Sequence, residues 1–258
     1  MREHVCCFPI LFMFSVFVVL RQRLSRKLLC CAKAQNGGNK MKVLQKMVSL
    51  AMTGAMVIGL GSGIMAAERS VKIDSAHFPD AGFRSYLRSV KCDKNGDGYL
   101  SETEISKIDK LNFYSNDDVE SVKGIKYLTS VTELTFFECY LDDVDLSQNP
   151  NITKVMILSC NGIKKLTTGM CVTSLEVSFC PNFKELDVES STYLSEFKFV
   201  SNNRFKGTID LSECRYINDV TVYNNAASGI TFHPKANPKY IHIEDNNMPD
   251  QYVNNLYK

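Results

Sequence analysis

Between about Ile108 and Asn246 the chain repeats one order of apolar and polar positions seven times. Counted from a leading apolar residue, further apolar residues stand at offsets three and five, and another usually follows at ten or eleven. A small polar residue, either Cys or Asn, stands at offset eight. In chain order these residues are Asn116, Cys139, Cys160, Cys180, Asn202, Asn225 and Asn246. Their separations of 20 to 23 residues make the pattern periodic.

A period of this length is typical of leucine-rich repeats, in which each repeat is one short strand followed by a return segment. One repeat cannot cover its own apolar residues, so the repeats must stack to form a core. The pattern therefore predicts an α/β solenoid over residues 108–246, a leucine-rich-repeat horseshoe with a parallel sheet on its concave side. We interpret residues 247–258 as a C-terminal cap or a truncated end.

The predicted concave face carries an apolar stripe. Side chains alternate along a strand, so offsets two, four and six should face solvent. Offset six is unexpectedly apolar, and the residues predicted to bind a partner there are Tyr114, Phe137, Leu158, Val200 and Tyr223. Flanked by charged residues, such a stripe has the composition of a protein-binding surface. The alternative is that residues which favour strands simply populate an exposed sheet.

Residues 71–107 are predicted to form a helix, a loop and a second helix that cap the repeats. Pro79 suits the start of the first helix, and Phe83, Leu87 and Val90 recur at helical spacing. The loop between the helices matches the EF-hand consensus D-x-[DN]-x-[DN]-G-x5-E at every position.

Calcium binds oxygen ligands in such a loop. The expected ligands are the side chains of Asp93, Asn95 and Asp97, the carbonyl of Tyr99, a water held by Ser101, and both carboxylate oxygens of Glu104. The alternative is a polar turn that only resembles such a loop. Because EF-hand sensors usually occur in pairs and this loop is single, we expect the calcium to stabilise the cap.

The overall net charge of +2 hides an uneven distribution. Residues 1–67 carry a net charge of +8, and residues 68–258 carry −6. An acidic protein repels the phosphate backbone, so we expect no nucleic-acid partner.

Two apolar segments lie within the basic N-terminal part. Residues 41–67 have the basic start, apolar core and small final residues of a signal peptide, which predicts export. The alternative is a retained membrane anchor, in which case the membrane is contacted only through this segment. Residues 1–40 resemble no folded module, and we interpret them as an upstream mis-start or an extra hydrophobic segment.

The cysteine and histidine positions argue against a zinc site and against catalysis. No CxxC motif or Cys–His pairing is present, and three of the later cysteines occupy equivalent repeat positions. Their equivalent positions in the repeat explain these three cysteines better than disulfide bonds do. A disulfide between two such cysteines in adjacent repeats is the alternative. None of the four histidines has a spacing typical of nucleophilic catalysis, and an open sheet offers no enclosed pocket. We therefore expect that the protein is not an enzyme.

The order of these motifs resembles that of exported bacterial leucine-rich-repeat proteins, the internalin-like surface proteins. The resemblance covers about residues 71–246 and includes the calcium loop, the run Val122–Leu128 and the repeats. Return segments such as Ile209–Ser212 echo the LDLS run of that family. The resemblance implies a secreted or cell-surface protein that recognises or adheres to a protein ligand. The alternative function is a calcium-ordered component of cell-envelope assembly, of dockerin-like type.

Overall fold

The structure is a computed structural model that describes residues 70–115 and 118–249. These residues belong to the unit Ala66–Lys258. The predictions that fall outside the described residues concern segment 1–40, the signal peptide 41–67, ladder residue Asn116 and most of 247–258. Within the described ranges, no helix is both long and apolar enough to cross a bilayer.

Two short strands and two short helices precede the repeats. They are β1 Ser70–Lys72, α1 Ala81–Leu87, β2 Tyr99–Ser101 and α2 Glu102–Ile105. Asp80 caps α1, because its side chain accepts a hydrogen bond from Phe83 N–H. The helix ends at Leu87, so Val90 does not continue its apolar face as the spacing predicted, and Val90 is exposed. Strand β1 pairs antiparallel with β2, which places Val71 opposite Leu100.

The repeats contribute twelve strands. They are β3 Lys110–Tyr114, β4 Glu133–Phe137, β5 Val144–Asp145, β6 Lys154–Leu158, β7 Lys165–Thr167, β8 Ser174–Ser178, β9 Glu185–Asp187, β10 Glu196–Val200, β11 Thr208–Leu211, β12 Asp219–Tyr223, β13 Gly229–Phe232 and β14 Tyr240–Glu244. One 3-10 turn, Ile125–Tyr127, lies between β3 and β4.

One strand from each repeat enters a seven-stranded parallel sheet in the order β3-β4-β6-β8-β10-β12-β14. The register matches the offsets in the sequence, so that Leu111, Leu134 and Val155 lie side by side. Offsets three and five point into the core, and offset two points outward in every strand. The predicted parallel sheet of stacked repeats is confirmed.

The return segments form two smaller parallel sheets instead of helices. Strand β7 lies between β5 and β9, and β11 pairs with β13. The predicted α/β solenoid is therefore wrong for the repeats, which form a β-solenoid. The cause lies in short runs such as Ile209–Ser212. The apolar residues of these runs alternate and face the core, as in a strand. The Asp210 side chain accepts a hydrogen bond from Ser212 N–H, which turns the chain directly after the strand.

Asparagine connects neighbouring repeats along the C-terminal half of the core. The buried Asn202 accepts a hydrogen bond from Cys180 N–H at 3.0 Å and donates one to Val177 C=O at 2.9 Å. Asn225 makes the corresponding pair of bonds one repeat later, to Asn202 N–H and to Phe199 C=O. Each amide therefore satisfies two backbone groups of the preceding repeat.

Cysteine fills the same position in the earlier repeats and bonds more weakly. The thiols of Cys139 and Cys160 donate to carbonyls of their own strands, at 3.5 and 3.4 Å. Cys139, Cys160 and Cys180 are free thiols, so the alternative of a ladder disulfide is wrong. Contact with Cys139 lowers the pKa of Cys160, but contact with Cys180 and burial raise it to about 12.

Replacing a ladder asparagine should cost much more stability than replacing a ladder cysteine. Asn202→Ala leaves Cys180 N–H and Val177 C=O without this partner, which should lower the free energy of unfolding by about 2 to 4 kcal/mol. Cys180→Ala removes a small buried group and should cost about 1 kcal/mol. Urea unfolding measures both losses.

The matched control is Asn203→Ala, because Asn203 is the exposed neighbour of Asn202 in the chain. This control should change the free energy of unfolding by less than about 0.5 kcal/mol. Equal losses in Asn202→Ala and Cys180→Ala would show that the amide bonds do not hold the repeats together.

Candidate functional site

The predicted stripe on the concave face is only partly accessible. Tyr114, Phe137 and Tyr223 are exposed, and Leu158 is half-buried. Val200 is not exposed as predicted, because only 9% of its surface is accessible to solvent. Its short β-branched side chain lies between Ser178, which is buried, and the larger Tyr223 in the two neighbouring strands. Little of the Val200 side chain is therefore accessible.

A left-handed corner follows the concave strand in six repeats. The residues at offset seven have φ between 52° and 59° and are Glu138, Ser159, Phe179, Ser201, Asn224 and Asp245. This conformation turns the chain so that the next residue, at offset eight, enters the core. None of the six is glycine, although only glycine adopts this region without steric cost.

Phe179 is the unusual member of this corner series. The other five are small, polar or acidic, whereas Phe179 is a bulky aromatic with φ of 59° and 57% exposure. Both the backbone conformation and the exposure carry a cost, which is typical of residues retained for binding. The alternation rule cannot find Phe179, because offset seven belongs to neither face of the strand. Its signal was the aromatic residue in a column otherwise filled by Ser, Asn, Glu and Asp.

The corners border a shallow groove of about 720 Å³. Its lining includes Ser159, Phe179, Pro181, Ser201 and Asn224. The groove follows the carboxyl ends of the strands, so it runs beside the accessible part of the apolar stripe. We call the exposed stripe residues Tyr114, Phe137 and Tyr223, together with Phe179, the aromatic rim.

Charged pairs cross the concave face between neighbouring strands. Lys110 contacts Glu133 at 2.9 Å, and Lys198 contacts Glu176 at 2.7 Å. Hydrogen bonding to Glu133 raises the pKa of Lys110, so this lysine stays charged. Exposed pairs of this kind contribute about 1 kcal/mol or less to stability, so they add little to the fold.

In the loop from Asp93 to Glu104, the predicted calcium ligands accept hydrogen bonds from backbone N–H groups. Asp93 is 2% exposed and accepts hydrogen bonds from Gly96 N–H and Gly98 N–H, at 2.7 and 3.0 Å. Asn95 accepts from Asp97 N–H at 3.1 Å, and Asp97 accepts from Tyr99 N–H at 2.8 Å.

Glu104 closes the loop from the other side. Only 6% of it is exposed, and its carboxylate accepts Lys94 N–H at 2.8 Å and the Ser101 hydroxyl at 2.8 Å. Ser101 also caps α2, so the two residues form a reciprocal capping box. Burial raises the pKa of Glu104, but the hydrogen bonds from Ser101 and Lys94 outweigh it and lower the pKa below its usual value.

The residues of the loop fit a hard cation by their chemistry. Asp93 and Glu104 are two nearly buried carboxylates in one loop, and uncharged backbone N–H groups and the Ser101 hydroxyl donate hydrogen bonds to them. Buried charge of one sign is costly without a counter-charge, which a calcium ion would supply. In the described part of the chain, no three or more His, Cys, Asp or Glu side chains converge as a metal-holding group. The loop's suitability therefore rests on its donor set.

No protein-family model matches this chain, and no curated protein matches it. One similar solved structure is the functional domain of InlJ from Listeria monocytogenes, which includes a cysteine ladder. It is 19% identical, with a TM-score of 0.32, over 70% of this chain and 49% of that domain, so this chain spans about half its length. Another is internalin C2 from Listeria monocytogenes str. 4b F2365, 18% identical with a TM-score of 0.35, over 74% of this chain and 93% of that one. These likenesses are remote, and the leucine-rich-repeat architecture rests on the strand register described above.

Relieving the corner at Phe179 should stabilise the fold. Asn tolerates the left-handed region and already occupies the same corner at Asn224. Phe179→Asn should therefore raise the free energy of unfolding by about 0.5 to 1 kcal/mol, which urea unfolding measures. The matched control is Ser159→Asn, where the expected change is smaller. A loss of stability in Phe179→Asn would show that the ring is a packing element of the fold.

Proposed function

We propose that the chain is a secreted or cell-surface module that binds a protein through its concave face and the adjacent groove. The observation that carries this proposal is the aromatic rim. Its four side chains are exposed and follow one edge of a sheet whose strands are held in register. Tyrosine is enriched among the few residues that supply most of the binding energy at protein interfaces, and phenylalanine is also enriched in interfaces.

The size of the face suits a protein ligand. Seven parallel strands at about 4.8 Å spacing extend for about 29 Å across the sheet. The groove is open along its length, which suits an extended or curved protein surface better than an enclosed small molecule. The same openness favours recognition over catalysis, because no wall excludes water from a reacting group.

Export is the part of the proposal that rests on sequence. The basic start, apolar core and small final residues of segment 41–67 support a signal peptide. Net charge of −6 over residues 68–258 is compatible with a surface protein and opposes nucleic-acid binding.

We also propose that calcium stabilises the loop from Asp93 to Glu104. The ligands would be the side chains of Asp93, Asn95, Asp97 and Glu104, the Tyr99 carbonyl, and a water held by Ser101. The ion would supply positive charge to the buried carboxylates. Strand β2 lies in this loop and pairs with β1, so ordering the loop also orders the strand that precedes the cap.

Removing calcium should lower the melting temperature. Extracellular EF-hand sites bind calcium with dissociation constants of about 0.1 to 1 mM. At about 1 mM calcium, binding then contributes roughly 0.4 to 1.4 kcal/mol. For a domain of this size, chelation should lower the melting temperature by about 1 to 5 °C. Scanning calorimetry with and without a chelator measures the shift.

Glu104→Gln should abolish this difference, because a neutral amide cannot replace the bidentate carboxylate. Glu102→Gln is the matched control, since Glu102 is an exposed carboxylate in the same helix and is not a predicted ligand. The control should keep the full calcium-dependent shift. Equal melting curves with and without calcium in the unsubstituted chain would remove the calcium site from the proposal.

Charged residues on the aromatic rim should weaken partner binding strongly. Affinity capture with the full chain at about 1 mM calcium would first identify the ligand. The combined variant Phe137→Asp and Tyr223→Asp should then bind that purified ligand at least about 30-fold more weakly, as expected for loss of interface hot spots. Calorimetric titration measures the dissociation constants.

Val90→Asp is the matched control for this test. Val90 is also an exposed apolar residue, but it lies after α1 and outside the concave sheet. Its dissociation constant should stay unchanged. Undiminished binding by the Phe137 and Tyr223 variant would show that the rim is not the contact.

A further inference from the structure

A recess of about 400 Å³ lies between the cap and the first repeat. It is set more deeply into the surface than the groove beside the corners. Its walls come from the end of α1, the segment after it, and strand β3, so it forms only where the cap packs against the repeats. Three lysines line it: Lys91, Lys107 and Lys110.

The recess is basic although the surrounding protein is acidic. Asp109 is the one carboxylate in its lining, against three ammonium groups. Glu133 contacts Lys110 from the neighbouring strand and offsets part of that charge. The remaining excess is positive, in a region of the chain whose net charge is −6.

The other lining residues carry no charged side chain, and the Asp93 and Glu104 carboxylates lie close enough to act on Cys92. Cys92 belongs to the lining and is 3% exposed. Tyr86 packs its ring on Phe113 with centroids 4.8 Å apart, which fixes one wall. Tyr114 forms another part of the lining and also belongs to the aromatic rim. The recess therefore opens directly onto the concave face.

We infer that this recess binds a carboxylate-bearing, acidic segment of the protein partner, and this inference rests on the proposed function of the concave face. One or two partner carboxylates sit between Lys91, Lys107 and Lys110. The partner chain then continues over Tyr114 towards Phe137. Lysine ammonium groups donate three hydrogen bonds each and can adapt to carboxylates at slightly different positions.

The charge around the recess favours an acidic peptide over a sulfated polysaccharide. A polysaccharide with a charge on each sugar needs a continuous basic track. Here three lysines line the recess, and the carboxylates of Asp109 and Glu133 interrupt their charge. A short acidic stretch matches this isolated cluster, because only one or two of its charges enter the recess.

Titration of the full chain with N-acetylated hexaglutamate tests the inference, with hexaglutamine as the uncharged probe. NMR or calorimetric titration should show that hexaglutamate binds at least about tenfold more tightly than hexaglutamine, which corresponds to about 1.4 kcal/mol. The double variant Lys91→Gln and Lys107→Gln should weaken hexaglutamate binding about tenfold or more. Lys110 is left intact, because its removal would also leave Glu133 without its ion-pair partner.

The matched control is the double variant Lys184→Gln and Lys206→Gln, which removes the same charge from exposed positions on the return segments. It should leave hexaglutamate binding unchanged. Equal weakening in both double variants would overturn the inference, because the effect would then come from net charge. A sulfated hexasaccharide that binds more tightly than hexaglutamate and depends on Lys91 and Lys107 would also overturn it.

Failure of this inference is distinguishable from failure of the proposed function. The lysine variants could bind hexaglutamate normally while the Phe137 and Tyr223 variant loses the captured partner. That result would support binding through the concave face and refute the inference that the recess binds an acidic segment.

Discussion

The in-register pairing of seven parallel strands is the constraint on which the rest of the structure depends. Hydrogen bonding fixes each offset opposite the same offset in the next repeat, so the apolar residues at offsets three and five become continuous columns. A slip of one residue would turn every core residue to solvent, because side chains alternate along a strand. The left-handed corner and the inward ladder residue follow from the same register.

The two ends of the solenoid are stabilised by different interactions. At the N-terminal end, aromatic packing joins residues 70–107 to the repeats, with Phe83 edge-on to Phe113 and Phe113 stacked on Phe136. At the C-terminal end, the amides of Asn202 and Asn225 connect repeats through backbone hydrogen bonds. The cysteine repeats lie between these two regions and rely mainly on apolar burial.

Periodicity was sufficient to predict the sheet, because the same offsets recur and each must be buried or exposed in every repeat. The return segments were predicted less well: Asp210 and Ser212 form a tight turn, and such local hydrogen bonding decides between helix and extended chain. The exposure of Val200 depends on the size of its neighbours, which alternation does not include. Phe179 was missed because its orientation comes from a backbone corner. The pairing of β1 with β2 joins segments too far apart for a local pattern to reveal.

Charged side chains are distributed unevenly along the concave face. Lysines Lys110 and Lys154 stand on the strands nearest the cap, whereas Glu196, Asp219 and Glu244 stand on the strands towards the C-terminal end. Glu133 on β4 offsets the charge of Lys110, and Glu176 on β8 offsets that of Lys198 on β10, which leaves Lys154 towards the cap end and the three carboxylates at the other end. A partner with the opposite charge order is attracted at both ends in one orientation and repelled at both ends in the other. If the concave face binds a protein as proposed, the aromatic rim would supply apolar contact in either orientation, so the charges would select the orientation and the aromatic side chains would supply the affinity.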